Sequence, residues 1–487
     1  MRFRLVFSIV GFMLALLGIG MVVPAAIDML FGSMKGAQEF ALSAALSVAI
    51  GLLIYLLSMT EKEPLKAKEM FLTTTLIWVG YTLVAAVPFY MSEYHLSWTD
   101  SVFEAMSGLT TTGSTVLSGL DQMSPGILLW RSMLQWLGGA GIVIVAIMIL
   151  PVLHIGGMQF FTTESSAGSK RDLPTVEQNM RAVFLYLIGI TIACCLCLKY
   201  AGMSWFDAVN HSFTAISTGG FSTHDQSIAY FNSPVIEWIL TFFMAISGLP
   251  LILGLYFLRG RWKSIQNDEQ ITFYLKFLLC SILLLTLLRW GSDHFMPREL
   301  GRYIRESAFS IVSIVTSTGF VVDNYQLWGN FSVAFFIFLM LFGGCTGSTA
   351  GGIKMFRFTI LFRATAVRLK GLVQPHGVFI PRYGRHVITD DILISVLVFI
   401  GLYFGTAVIM TLILSACGLD FVTSFSGSLT ALSNVGPGLG HVIGPDKTFA
   451  MLPVGIKWLL ILGMLVGRLE FISVFVLFFP FLWRRNA

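Results

Sequence analysis

One stretch of this chain is written four times. Aligned on Gly113, Gly220, Gly319 and Gly436, it reads DSVFEAMSGLTTTG, DAVNHSFTAISTGG, ESAFSIVSIVTSTG and TSFSGSLTALSNVG. A hydroxyl residue stands six positions before each glycine (Ser107, Thr214, Ser313, Thr430). Another stands three before (Thr110, Ser217, Thr316, Ser433). The copies are 107, 99 and 117 residues apart, and each lies between two long apolar runs. A repeat of this kind means that one structural unit is built four times.

The solvent of that unit is lipid. The chain has 487 residues, 56% hydrophobic and 12% charged, where a soluble domain carries about 25% charge. Candidate spans run over 5–30, 39–59, 70–91, 127–153, 181–200, 234–257, 271–290, an interrupted 327–369, 391–416 and 453–482. Each is close to or above the roughly 20 residues needed to cross a bilayer. The apolar stretches 100–110, 205–217, 304–316 and 421–433 are too short to cross and are predicted to be re-entrant half-helices. The N-terminal apolar run exceeds a signal-peptide core and reads as a first transmembrane helix. If the N-terminus is cytoplasmic and every half-helix dips from outside, most of the 31 lysines and arginines fall inside, as the positive-inside rule requires. A net charge of +5 gives no reason to expect nucleic acid, and the six cysteines show neither metal-ligand spacing nor a disulfide framework.

Backbone physics suggests what the four loops do. Non-helical backbone at membrane depth survives only when buried in protein or lining water. A re-entrant helix aims the negative end of its macrodipole at mid-membrane, which favours a cation there. Asp100, Asp207 and Glu306 are expected at half-helix N-termini, where acidic residues stabilise the opposite end. Past each helix a glycine lets the carbonyls turn inward, and four such loops form an oxygen ring that replaces hydration water. The expected filter residues are Thr111, Thr112, Gly113, Gly219, Gly220, Thr318, Gly319, Val435 and Gly436. None is a carboxylate, which points to a monovalent alkali cation rather than Ca²⁺.

Below the third loop, FGGCTGSTAGGIK interrupts a span. Gly343, Gly344, Gly347, Ser348, Gly351 and Gly352 cannot make a good lipid-facing helix. Two readings stand: a movable loop that blocks the pore, or a kinked helix packed through small residues. Arg468 sits in the last span, and an intramembrane charge is a functional candidate by default. It either meets carbonyls of the 343–352 loop, raising the barrier to cations, or pairs with an acidic residue. Glu470, two positions on, would lie on another helix face. His211, in the second half-helix, reads as a packing or interface residue rather than a ligand. Lys276 reads as a snorkelling side chain. The basic segment 370–390 and the linker 154–180 read equally as docking surfaces or plain linkers. A nucleotide P-loop is excluded because GxxxxGK[ST] does not occur, and a rhomboid-like serine protease would leave three of the four repeats unexplained.

On the four loops and the glycine-rich interruption, the chain resembles the TrkH family, membrane subunits of bacterial Trk potassium uptake systems within the Trk/Ktr/HKT superfamily. It differs at Ser114 and Pro437, where many superfamily loops carry Phe or Leu. The resemblance covers essentially the whole chain and favours the gate reading of residues 343–352 with Arg468. It implies a potassium uptake protein of the bacterial inner membrane, both termini cytoplasmic, that passes K⁺ and Rb⁺ through one pore per protomer. It also implies a homodimer in the lipid bilayer and a cytoplasmic TrkA-like nucleotide-binding ring as regulator. No organic cofactor and no enzymatic activity are expected. The expected fold is all-α: two extra N-terminal helices (1–66) and four pore repeats in pseudo-fourfold array (67–158, 159–265, 266–375, 376–487). A K⁺/H⁺ symporter is the alternative; it finds no chain of acidic or histidine residues across the spans to serve as a relay.

Overall fold

The structure is a computed structural model and describes residues 2–60, 65–148, 176–258, 260, 268–292, 296–384 and 386–480. The expected boundaries at 158 and 265, most of the 154–180 linker, and Lys62, Lys170, Arg171, Arg259, Arg261, Lys263, Arg385, Arg484 and Arg485 lie outside the described residues.

The described chain is mostly helical, with one short hairpin. The first span bends at Met21 into Phe3–Gly20 and Val22–Leu30, and Met34–Leu57 packs back along it. Four units follow, each with an outer helix, a short pore helix and an inner helix. The outer helices are Ala67–Met91, Val176–Tyr200, Glu269–Ser292 and Asp390–Ala416. The pore helices are Trp98–Leu109, Trp205–Ile216, Leu300–Val315 and Phe421–Ser433. The inner helices begin at Pro125, Pro234, Asn330 and Val454.

Outer and inner helices differ as their surroundings demand. The outer helices are unbroken and apolar, and together with the two N-terminal spans they are long enough to cross a membrane. Leu185, Ile192, Leu279, Leu283, Val408 and Leu412 stand exposed on them, as lipid-facing side chains do. The pore helices are enclosed instead: every residue from Ser101 to Leu109 and from Ser426 to Ser433 is buried. An enclosed helix of that length at membrane depth needs walls on every side, which the four outer–inner pairs supply.

The inner helices of repeats two, three and four are interrupted. The second stops at Ser247 and resumes at Leu251 beyond Pro250, whose missing N–H cannot continue the ladder. The third stops at Leu339 and resumes as Met355–Val373. The fourth stops at Arg468, where Glu470 and Phe471 take positive φ before a short turn at Ile472–Phe475. The sequence predicts continuous spans over 234–257 and 453–482; both are broken. A two-stranded hairpin, Arg382–Tyr383 with His386–Val387, lies in the basic segment after the third repeat.

Candidate functional site

Each pore helix ends in the same way. In the first repeat Thr111 takes positive φ, its N–H bonds to the Gly108 carbonyl, and the Thr112 N–H reaches back to the Ser107 carbonyl at 2.9 Å. This is a Schellman ending. Thr218 and Ser317 repeat it: Gly219 N–H donates to Thr214 O at 2.8 Å and Thr318 N–H to Ser313 O at 2.8 Å. In the fourth repeat Asn434 takes the left-handed position and Val435 N–H donates to Thr430 O at 3.0 Å. The residues six before each glycine therefore supply the carbonyl that closes the helix. Two positions beyond the left-handed residue, Gly113, Gly220, Gly319 and Gly436 again have positive φ, from 78° to 109°.

These turns bring the four loops into one closed ring. A Cβ added at Gly113 would strike the carbonyl oxygen of Gly219. At Gly220 it would strike that of Thr318, at Gly319 that of Val435, and at Gly436 it would lie 2.8 Å from that of Thr112. Each glycine thus faces the carbonyl preceding the glycine of the next repeat, and the fourth closes on the first. Glycine is required here by contact as well as by φ. Thr112, Gly219, Thr318 and Val435 contribute backbone oxygens to the ring; Thr111 is buried beside it.

Side chains lock neighbouring loops together. Gln135 of the first inner helix donates to Gly219 O at 2.7 Å and accepts from Phe221 N–H at 3.0 Å. Ser114 donates to Gly436 O at 2.7 Å, and Asn434 donates to Thr112 Oγ1 at 2.9 Å and Met464 O at 3.0 Å. Tyr403 shares a hydrogen bond of 2.6 Å with Ser433. Buried polar groups are costly unless paired, so each of these bonds fixes a position.

The acidic residues expected at helix N-termini divide. Asp100 and Asp207 sit in first turns capped by Ser97 and Ser204, and each serine also donates to its aspartate at 2.7 and 2.6 Å. The fourth helix reverses the pair, with Asp420 as cap and Thr423 in the first turn. Glu306 does not lie at a terminus. The third pore helix begins earlier, at Leu300, which leaves Glu306 inside it, held by Arg289 at 2.7 Å and Arg302 at 2.6 Å. His211 is buried; its Nε2 meets Ser222 Oγ at 2.9 Å and its Nδ1 meets Asp207 O at 2.8 Å.

The glycine-rich segment is neither a helix nor free of its surroundings. Gly343 N–H donates to Ile353 O at 2.9 Å, pinching the loop at its neck. Cys345 N–H donates to Gly248 O at 2.8 Å, and Leu251 N–H to Gly347 O at 3.0 Å, so the broken second inner helix receives the loop. Ser348 Oγ donates to Cys345 O at 2.7 Å. The tip lies against the ends of the pore helices: Thr349 Oγ1 donates to Ile216 O at 3.1 Å and Gly351 N–H to Ser317 Oγ at 2.6 Å. A Cβ at Gly351 would strike the Ser433 carbonyl, and one at Gly343 the Gly351 carbonyl; Gly344 lies within contact of Gly248 O, and Gly347 and Gly352 take positive φ.

Arg468 is buried and donates to Thr349 O at 2.9 Å and Gly138 O at 3.5 Å. Among the described residues no carboxylate pairs with it. Glu470 pairs instead with Arg357 at 2.6 Å. The helix ends at Arg468, so the expected helix-face relation between Arg468 and Glu470 does not apply. Four structural features were not anticipated from the sequence: the left-handed residues, the Gln135 clamp, the Arg357–Glu470 pair, and a fully buried Arg131–Glu104 pair at 2.8 Å. Of these, only Asn434 carries a residue-type signal for left-handed backbone.

Four re-entrant helices aimed at one ring of backbone carbonyls, within a lipid-facing helical shell, place the molecule in the class of polytopic cation transport proteins. The family model described as "TrkH: Cation transport protein" matches residues 36–485. The chain belongs to the TrkH family. It is 39% identical over 485 residues to the Trk system potassium uptake protein TrkI of Halomonas elongata, covering 99% of this chain and 98% of that one. It is 37% identical over 488 residues to the Trk system potassium uptake protein TrkH of Escherichia coli, covering 99% and 100%. The crystal structure of the potassium transporter TrkH from Vibrio parahaemolyticus superposes with a TM-score of 0.91 at 33% identity, covering 99% of this chain and 100% of that one. The protein is a multi-pass membrane transporter and not an enzyme.

Proposed function

We propose that the protein takes up K⁺, and its close analogue Rb⁺, down the electrochemical gradient through the ring of Thr112, Gly219, Thr318 and Val435 carbonyls. The observation that carries this reading is the closed cycle of glycine-to-carbonyl contacts. Backbone oxygens held at such a ring replace a hydration shell without a full charge, which suits a monovalent ion. The C-terminal ends of four helices add negative potential at the same depth, and Asp100 and Asp207 favour the opposite ends. The loop of Gly343, Gly344, Gly347, Ser348, Gly351 and Gly352 is the gate. Its tip rests on the pore-helix ends, and Arg468 holds it there while placing below the ring a positive charge that no carboxylate pairs among the described residues.

In the same reading the protein works as a homodimer in the bacterial inner membrane, both termini cytoplasmic, under a TrkA-like nucleotide-binding ring. The relatives' designation as parts of a Trk system supports such a partner. The test is ⁸⁶Rb⁺ uptake into proteoliposomes of purified protein driven by an outward K⁺ gradient. Uptake that external K⁺ blocks and Na⁺ barely affects supports the pore. Uptake that requires an imposed pH gradient contradicts it and supports K⁺/H⁺ symport.

A further inference from the structure

The Glu104–Arg131 pair stands at a position where no other repeat carries a carboxylate. Glu104 lies nine positions before Gly113; the aligned positions carry His211, Ser310 and Gly427. Both side chains are almost completely enclosed, 0% and 1% exposed, and are joined at 2.8 Å. Their remaining bonds go to backbone and hydroxyl groups just outside the ring. Glu104 accepts from Val116 N–H at 3.0 Å and from Thr115 Oγ1 at 2.9 Å. Arg131 donates to Thr115 Oγ1 at 3.2 Å and to Ser222 O at 2.8 Å, and its guanidinium lies 4.1 Å from the Phe221 ring centroid. Thr115 follows Gly113 by two residues, and Ser222 follows Gly220 by two. The pair therefore grips loops one and two at equivalent points. His211 holds the same Ser222 by its hydroxyl, so one continuous network runs behind half of the ring.

The other half is tied more lightly. Ser313 donates to Phe320 O at 2.8 Å, and Ser426 accepts from Leu439 N–H at 2.9 Å; the third repeat's ion pairs join Glu306 to Arg289 and Arg302 rather than to the residues beside Gly319. Burying a charge pair is expensive and adds little net stability, but the geometry it fixes is unique. An ion-coordinating ring discriminates among alkali ions through the spacing and stiffness of its oxygens.

We infer that Glu104 and Arg131 are specificity-determining positioning residues that hold the first two loops of the ring at the spacing suited to K⁺, without touching the ion. This rests on the ring being the ion path.

The test is paired ⁸⁶Rb⁺ and ²²Na⁺ uptake into proteoliposomes of wild type, Glu104→Gln, Arg131→Gln, the double variant, and Thr115→Val. The double variant removes the brace while leaving no unpaired charge. Its Rb⁺/Na⁺ uptake ratio is expected to fall about tenfold, the scale of one charge-assisted hydrogen bond, with Rb⁺ uptake retained. Glu104→Asp is expected to restore part of the ratio. Thr115→Val, which deletes only a shared hydroxyl, gives a smaller fall in the same direction and serves if the charge variants fail to fold. A wild-type ratio in folded double variant, or in folded Thr115→Val where the double variant does not fold, overturns the inference. Absence of both fluxes from wild type and also from Arg468→Ala, in which the bond that holds the loop is lost, would instead refute the conduction reading.

Discussion

At the scale of single residues, the ring glycines carry the firmest expectations. A methyl group on Gly220 would meet the Thr318 carbonyl, and φ there is 78°. A left-handed non-glycine residue costs on the order of 1–3 kcal/mol, and the neighbouring oxygen must also move. Gly220→Ala is expected to abolish most Rb⁺ uptake while the protein still assembles in detergent; uptake at the wild-type rate would contradict the ring geometry. Arg468→Ala removes both the bond to Thr349 O and the buried positive charge. Charge-assisted hydrogen bonds contribute about 1.5–3 kcal/mol, so basal uptake without a partner should rise by about tenfold or more. A fall would mean that Arg468 supports the open state.

A titratable residue adds a pH dependence on the side of the ring away from the loop. His224 bonds to Asp121 and lies 3.5 Å from Asp207. Its burial would lower the imidazole value, but the two carboxylates outweigh that and raise it. A raised value means that the stabilisation is full below the unfolded-state value and is lost as pH rises through the folded-state one. Thermal unfolding of wild type against His224→Gln, followed from acidic to alkaline pH, should show an advantage for wild type that shrinks upward. Parallel curves would remove the role.

The residue scale is also where sequence and structure part most clearly. The four glycines and the hydroxyls before them stand out by repetition alone. Thr111, Thr218 and Ser317 do not announce left-handed backbone, because Thr and Ser seldom adopt it; the Schellman bonds impose it. Glu104 and Arg131 are 27 residues apart in sequence, and nothing local shows that they meet.

At the scale of elements, the half-helices are legible because a buried apolar stretch too short to cross has few alternatives. The start of the third is not. Its aligned position, Glu306, is read as a terminus because the other repeats begin there, yet the helix extends back to Leu300 where two arginines neutralise the carboxylate. The breaks in the second and fourth inner helices escape a hydropathy reading for a similar reason: Pro250 and the turn at Leu469–Phe471 lie in apolar runs whose composition is that of a span. Both breaks make room for the 343–352 loop. Its seat predicts one outcome. Gly351→Ala would press a methyl group on the Ser433 carbonyl, so the closed position should be disfavoured and basal Rb⁺ uptake should rise. Unchanged uptake in a folded variant would place the barrier elsewhere.

At the scale of the whole molecule, a lipid-facing shell surrounds four enclosed helices that converge on one ring. All four loops meet through the same turn, which is the arrangement the proposed passive path requires. An inside-negative potential of 100 mV is worth about 2.3 kcal/mol per charge. Passive uptake should therefore stop at about fiftyfold accumulation of Rb⁺ at that potential. Accumulation well beyond that limit would require a coupled ion.

The most direct measurement is the position of the ion itself: anomalous scattering from crystals grown in Rb⁺. A peak is expected on the pseudo-fourfold axis, coordinated by the carbonyl oxygens of Thr112, Gly219, Thr318 and Val435. Rb⁺ bound elsewhere in the molecule, with that ring empty at saturating Rb⁺, would contradict it.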